Sequence, residues 1–324
     1  MQDRYYRNMI WLGISLLAFV ILASLIHLGW LNAYHRISLI TIMLNIIYAS
    51  GLNLVLGVAG QFSLGHAGFI AIGAYASAIA STRLNLDPVP AWLVGLAIGI
   101  CLAVFLALLV GIPTLRLKGD YLAIATLGIS EVIRIVINNQ QGLTNGPAGI
   151  SGIPRVVDWW LVYIVMVLCL TLILNYTFSP AGRVTRALNQ DEVAAEAMGV
   201  NITKYKVLAF VIAAATAAMG GALQANYLGI VTPSDYSFNR SIDILIIVVF
   251  GGMGSFSGTI LAAIVLGLLN LALQDFGQLR MIIYALAMIL IMIFRPSGLL
   301  GTKEINLAHY LLNHLKKPIR KEVG

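Results

Sequence analysis

The chain has 324 residues, of which 60% are hydrophobic and only 10% charged, and its mean hydropathy is +0.91. Soluble domains carry about 45–50% apolar and about 25% charged residues, which excludes an ordinary globular enzyme or a pair of soluble domains. The net charge of +7 comes from basic residues in short loops and a tail, a pattern that suits anionic lipid and builds no face for nucleic acid.

A membrane-crossing helix needs about 20 predominantly apolar residues. In chain order the runs that qualify are 9–31, 37–58, 62–81, 91–112, 121–138, 159–178, 207–230, 242–250 with 259–273, and 281–294. The first follows Arg4 and Arg7 but exceeds the roughly 7–15 residues of a signal-peptide core, so it is expected to stay as an uncleaved helix. Gly251-Gly252-Met253-Gly254-Ser255 interrupts the eighth run, and splitting there gives about ten segments in an all-α polytopic bundle. One transmembrane domain over 1–324 is expected. Cys101 and Cys169 both lie in apolar runs, so no disulfide framework is implied.

Alternating ten segments from a cytoplasmic N-terminus places fourteen basic residues inside, among them Arg4, Arg7, Arg183, Arg186, Lys204 and Lys206. Five, Arg36, Arg83, Arg155, Arg240 and Arg280, fall outside. Cytoplasmic loops attract Lys and Arg, so both termini are expected in the cytoplasm. The 139–158 loop then faces outward and the 179–206 loop inward. The outer loop is rich in Gly and Pro and is expected to be irregular. Residues 306–315 ahead of Lys316-Lys317 form either a short interfacial helix or a loosely held part of the basic tail, 302–324.

Polar groups inside the spans narrow the chemistry. Gly57, Gly60, Gly65 and Gly68 fall within twelve residues and should break the helix between the second and third runs. Exposed backbone at that depth must be buried in protein or face water, and Gln61, Ser63 and His66 can satisfy it. Gly254-Ser255-Phe256-Ser257 looks like Gly60-Gln61-Phe62-Ser63 and sits at the other break. Glu131 and Arg134 stand one turn apart in the fifth run, placed either to neutralise each other or to serve gating and solute passage. Asp243, at the outer end of its run, reads as structural. The remaining His residues do not cluster with His66, and no metal or cofactor site is expected.

The inner loop from Ala181 to Lys206 has a helix-favouring middle, with Asn189 or Asp191 available as a cap and Gly199 as a stop. It has the form of a docking element. Gly51-Leu-Asn53-Leu, the Gly60–Phe69 segment, Gly119-Asp-Tyr-Leu-Ala-Ile-Ala-Thr126-Leu-Gly, Thr144-Asn-Gly-Pro-Ala-Gly-Ile, the 181–206 loop, Phe250-Gly-Gly-Met-Gly254-Ser and Arg295-Pro-Ser-Gly-Leu-Leu-Gly carry a resemblance. Over roughly Asn45 to Gly301 the chain resembles the M-type permeases (LivM family) of branched-chain amino acid ABC importers.

The resemblance implies a helical permease paired with a homologous H-type permease, driven by two cytoplasmic ABC ATPases and fed by a periplasmic solute-binding protein. It implies an inner-membrane location, and a solute that is leucine, isoleucine, valine or a relative. The inner loop is similar to the coupling segment of ABC importers, with Val193 where that segment carries Glu. The expected coupling residues are Glu192, Ala194, Ala195, Glu196 and Gly199, with Ala194, Ala195 and Met198 facing the ATPase. Asn53, Gln61, Ser63, His66, Thr126 and Glu131 are candidates for the translocation path or its gating. The chain has no Gly-x-x-x-x-Gly-Lys-Ser/Thr phosphate loop, so it is expected not to be an enzyme, and ATP energy must come from partners. The alternatives are the same architecture importing urea or short amides, a stand-alone ion-driven carrier, and an intramembrane enzyme, for which no paired carboxylates or nucleophile with its base are found.

Overall fold

The computed structural model describes residues 2–28, 32–114, 117, 119–273, 276, 283, 286, 289, 293 and 298–301. The expected 281–294 span, the 306–315 helix and the basic tail lie outside the described residues, apart from isolated positions.

The apolar runs become helices with boundaries shifted by a few residues. These are α1 (Gln2–His27), α2 (Ala33–Asn53), α3 (His66–Arg83), α4 (Pro88–Thr114), α5 (Asp120–Asn139), α7 (Trp159–Thr177), α10 (Ile202–Leu228), α11 (Phe238–Gly251) and α12 (Phe256–Ala272). Between them lie a short turn, α6 (Gln141–Thr144), and two polar helices, α8 (Pro180–Gln190) and α9 (Glu192–Ala197). Among the described residues, Tyr34–Val58, Pro88–Thr114, Trp159–Thr177 and Ile202–Leu228 are each long and apolar enough to cross a membrane. The α11–α12 pair passes the same test only together, bent by 119°. Length and hydropathy alone therefore give up to five crossings. The remaining expected spans, at 9–31, 62–81 and 121–138, rest on α1, α3 and α5 being full-length helices beside the others.

Small residues set the packing. A methyl group at Gly73 of α3 would sit 2.0 Å from the Ala218 carbonyl oxygen of α10, and one at Gly221 of α10 would sit 2.1 Å from the Ile70 carbonyl oxygen of α3. The two backbones touch, as membrane helices do where Gly and Ala line the seam. On α4 the buried residues Gly95, Gly99, Ala103, Ala107 and Gly111 recur every fourth position, forming one face against α3. The opposite face carries exposed Leu93, Ile98, Leu102, Phe105 and Leu109. Only 22% of the apolar part of α4 is buried, against 78% for α2, so α4 lies at the periphery of the bundle and α2 runs through its interior.

Hydrogen bonds sort the helix ends into two faces. At one end Arg83, closing α3, donates to the Gly142 and Leu143 carbonyls. At the same end β1 (Ile150–Ser151) pairs antiparallel with β2 (Ile230–Val231) just after α10. The expected irregular loop is thus ordered by turns at Asn145, Gly146, Gly149 and Gly152, all with positive φ, and clipped to the α10–α11 connection. At the other end the break after α2 meets α8, and the break after α11 docks on the first. This grouping follows the alternation derived from charge.

Which compartment each face meets is open to a direct test. With Cys101 and Cys169 replaced, Ser151→Cys should label from outside intact cells and Ala187→Cys only after permeabilisation. Both positions are exposed, and Ser151 is preferable to Gly152, whose φ of 73° would strain a cysteine. Equal labelling of both from outside would rule out the arrangement.

Candidate functional site

The first break is built from wide backbone turns. Leu54–Val58 forms a π turn, in which the Ala59 amide reaches back to the Leu54 carbonyl at 3.1 Å and the Gln61 amide to Val55 at 3.0 Å. Such turns interrupt the regular ladder and occur often at functional sites. Gly60 follows with a φ of 67°, and α3 restarts at His66. The second break, Gly251–Ser255, bends through Gly252 and Gly254, with φ of 109° and 87°. The two glycine-rich breaks dock on each other, as a methyl at Gly57 would lie 2.1 Å from the Gly254 nitrogen.

Asn53 locks this junction. Its Nδ2 donates to the Ser255 carbonyl at 3.0 Å and to Thr259 Oγ1 at 2.9 Å, while its Oδ1 accepts from the Gly254 amide at 2.8 Å. The side chain is fully buried and its hydrogen bonds are spent on the opposing break. Behind it the 298–301 strand of chain joins in, with the Leu299 amide donating to the Phe250 carbonyl at 2.8 Å.

Gln61, Ser63, His66 and Thr126 come together around the start of α3. Thr126 Oγ1 accepts from the Leu64 amide at 3.0 Å, and Ser63 Oγ from the Gly65 amide at 3.4 Å. Ser241 of α11, which sequence reasoning did not single out, accepts from the Ala67 amide at 3.1 Å. Both amide atoms of Gln61, Nε2 of His66 and the hydroxyls of Ser50 and Ser130 are buried with no hydrogen-bonding partner among the described residues. Unpaired polar groups in a membrane interior are costly. Each of these groups has the capacity to donate to or accept from a water or a polar solute group. Among the described residues no three His, Cys, Asp or Glu are placed to hold a metal ion.

Glu131 stands apart, further along α5. One carboxylate oxygen accepts from Arg134 Nε at 2.7 Å, and the other accepts from the Phe238 amide at 3.2 Å, capping the start of α11. It therefore bridges α5 to α11, and the charge sits where the helix dipole favours an anion. Nearby, Arg240 lies over the Tyr48 ring, 5.5 Å from its centroid, and donates to Asn45 Oδ1 at 3.0 Å. Tyr236, in the connection before α11, is buried, and burial pushes its phenol well above the ordinary range, so it stays neutral. Glu131→Gln keeps an acceptor for the Phe238 amide but removes the charge. Uptake should fall about fivefold, the factor expected for ~1 kcal/mol of lost electrostatic interaction, with assembled complex near normal. Loss of assembly, or no change, would leave Glu131 a structural clasp.

The inner loop folds as two helices where one was expected. Ser179 accepts from the Gly182 amide at 3.1 Å with Pro180 in the first turn, a start signal legible in the sequence. Asp191, not Asn189, caps α9, accepting from the Val193 and Ala194 amides at 2.9 and 3.0 Å. Gly199 closes it with a φ of 80°. Glu192 is engaged within the chain, paired with the buried Lys206 at the start of α10. Ala195 faces the protein's own interior, whereas Ala194, Glu196 and Ala197 are exposed. The apolar side chains that project outward are Val193 and Met198, 73% and 85% exposed. The outward surface is therefore Val193–Met198 with Glu196, rather than the Ala195 side.

Residues 36–294 match the family described as the permease component of the branched-chain amino acid transport system. The chain belongs to that family. This permease is 37% identical over 292 residues to the high-affinity branched-chain amino acid permease protein LivM of Escherichia coli K12, covering 80% of this chain and 68% of that one. It is 27% identical over 289 residues to LivH of Salmonella typhimurium, covering 80% and 92%. A probable LivM of Methanocaldococcus jannaschii is 25% identical over 288 residues, covering 78% and 80%. No solved structure matches the chain. Family and helical architecture together make it a multi-pass membrane protein.

Proposed function

We propose that this permease is the M-type membrane subunit of an ATP-binding cassette importer of branched-chain amino acids in the bacterial inner membrane. It shares its translocation path with a homologous H-type permease. Two cytoplasmic ATPases supply energy, a periplasmic binding protein delivers the solute, and both termini lie in the cytoplasm. The observation that carries the reading is the inner α8–α9 segment, two consecutive short helices that present Val193, Glu196 and Met198 on a family member without a phosphate-binding loop. Similarity to both LivM and LivH supports a pair of related permeases. The unpaired set at Gln61, His66, Ser50 and Ser130 supports a polar path beside the start of α3, with Ser63 and Thr126 shaping it and Asn53 holding the adjoining breaks.

Purification of the tagged chain from its native membrane after mild cross-linking tests the assembly. An H-type permease and ATP-binding subunits should be recovered with it. Recovery of the chain only with itself, still competent for uptake, would overturn the proposal. In the same vesicles, isoleucine and valine should compete with labelled leucine, and urea should not.

A further inference from the structure

Among the described residues, three polar side-chain contacts that tie the inner segment to the membrane bundle differ in kind. Tyr176 Oη meets Thr185 Oγ1 at 2.7 Å, tying α8 to α7. Glu192 pairs with Lys206, tying α9 to α10. Both partners there sit on continuous helices. The third contact is Asn189, whose Nδ2 donates to the Gly57 carbonyl at 3.0 Å. Gly57 belongs to the π turn, where the ladder is already interrupted and its carbonyl is free to accept a side chain.

The surroundings make this contact stiff. Gly60, with its positive φ, wraps the Asn189 side chain so closely that a methyl there would lie 2.2 Å from Asn189 Oδ1. On its far side Gly57 abuts Gly254 and Asn53, and Asn53 holds Ser255, Gly254 and Thr259. A displacement of α8 along the Asn189 bond therefore reaches the first break, then the second, and with it the 119° bend between α11 and α12. The two helix-borne contacts have no such outlet, because continuous helices transmit a push without bending.

We infer that Asn189 is the positioning residue that delivers movement of the cytoplasmic α8–α9 segment to the paired helix breaks. The inference rests on the reading of this chain as the permease of an ATP-driven importer. Asn189 touches neither solute nor ATPase in this scheme. It sets how much of the ATPase stroke becomes rearrangement of the breaks. Coupling between distant sites runs through this contiguous set of contacts, and its signature is a change in the coupling ratio itself.

The test uses the complete complex in lipid vesicles, with ATP hydrolysis and labelled leucine uptake measured on the same sample. In Asn189→Ala, leucine imported per ATP hydrolysed should fall at least about fivefold, while recovery of ATPase subunits and ATP hydrolysis stay within about twofold. Asn189→Asp is nearly isosteric at an exposed position, but its carboxylate cannot donate and repels the Gly57 carbonyl, so it should show the same uncoupling. It also decides the matter should the alanine variant assemble poorly. An unchanged ratio in Asn189→Asp, or uptake and hydrolysis falling in parallel, would overturn the inference. A wild-type complex with no ATP-dependent uptake would overturn the importer reading and the strut together, whereas an active wild type with coupled variants removes the strut alone.

Discussion

Gly57→Ala should collapse the junction of the two helix breaks and abolish most transport. The added methyl would lie 2.1 Å from the Gly254 nitrogen, 2.3 Å from Asn53 Oδ1 and 2.7 Å from the Gly254 Cα. Two of these obstacles are backbone, and the third is a side chain pinned by three hydrogen bonds. None can swing aside. Overpacking of a tight interior costs about 1–3 kcal/mol, and separating the breaks would also strip the Gly254 amide of its acceptor. The variant should unfold at lower temperature in detergent and accumulate poorly. Gly128→Ala is the control, because nothing lies within 4 Å of a methyl placed there, and it should equal or exceed wild-type stability. A Gly57→Ala protein as stable and active as wild type would show that the breaks do not need their close approach.

The second large effect is expected at the outward apolar pair. Val193→Asp combined with Met198→Asp should leave a folded permease that no longer holds its ATPases. Both side chains are mostly exposed, so aspartate there adds no buried charge. At an interface core each lost anchor costs about 2 kcal/mol, roughly thirtyfold in affinity. Uptake should fall to background, and ATPase subunits should be missing from the purified complex. Ala195→Asp must behave differently, because Ala195 faces inward and a carboxylate there is buried against the chain itself. Its defect should appear as loss of folded permease. If the double aspartate variant retained its ATPases, the docking surface would lie elsewhere on the inner face.

The helical bundle was legible because membrane burial leaves a strong, local trace. Long apolar runs and the Gly251–Ser255 interruption placed nine helices and the bend. What escaped were features decided by residues far apart in sequence. The β1–β2 pair involves two residues on each side and joins Ile150 with Val231 and Ser151 with Ile230, positions 81 and 79 apart. No local pattern announces it. Helix α8 was readable from Ser179-Pro180 but was hidden by the polar composition of its neighbours. Asn189 and Asp191 were equal candidates for a cap, and only the fold gives the cap to Asp191 and turns Asn189 to the Gly57 carbonyl.

Among the candidate residues, chemistry was easier to read than partnership. Gln61, Ser63, His66 and Thr126 do gather around one helix start. Asn53 shares their polarity but is consumed by the opposing break, and Ser241 joins them from a helix some 175 positions later, as its bond to Ala67 at a separation of 174 shows. The likeness of the two Gly-x-Phe-Ser breaks is answered in space by their direct contact. For Glu192 the sequence offered an acid in the expected coupling loop, while the fold hands that acid to the buried Lys206 and leaves Glu196 to face outward.

The central claim is that this permease moves branched-chain amino acids only when ATPases act on it from outside the membrane plane. The most direct measurement is labelled leucine uptake into lipid vesicles prepared with the purified chain alone, with its H-type partner, and with the full set of ATPase and binding-protein subunits. Uptake should appear only in the complete assembly, require ATP on the ATPase side, and vanish when the binding protein is withheld. Leucine accumulation by the purified chain alone, driven by an ion gradient without ATP, would contradict the account.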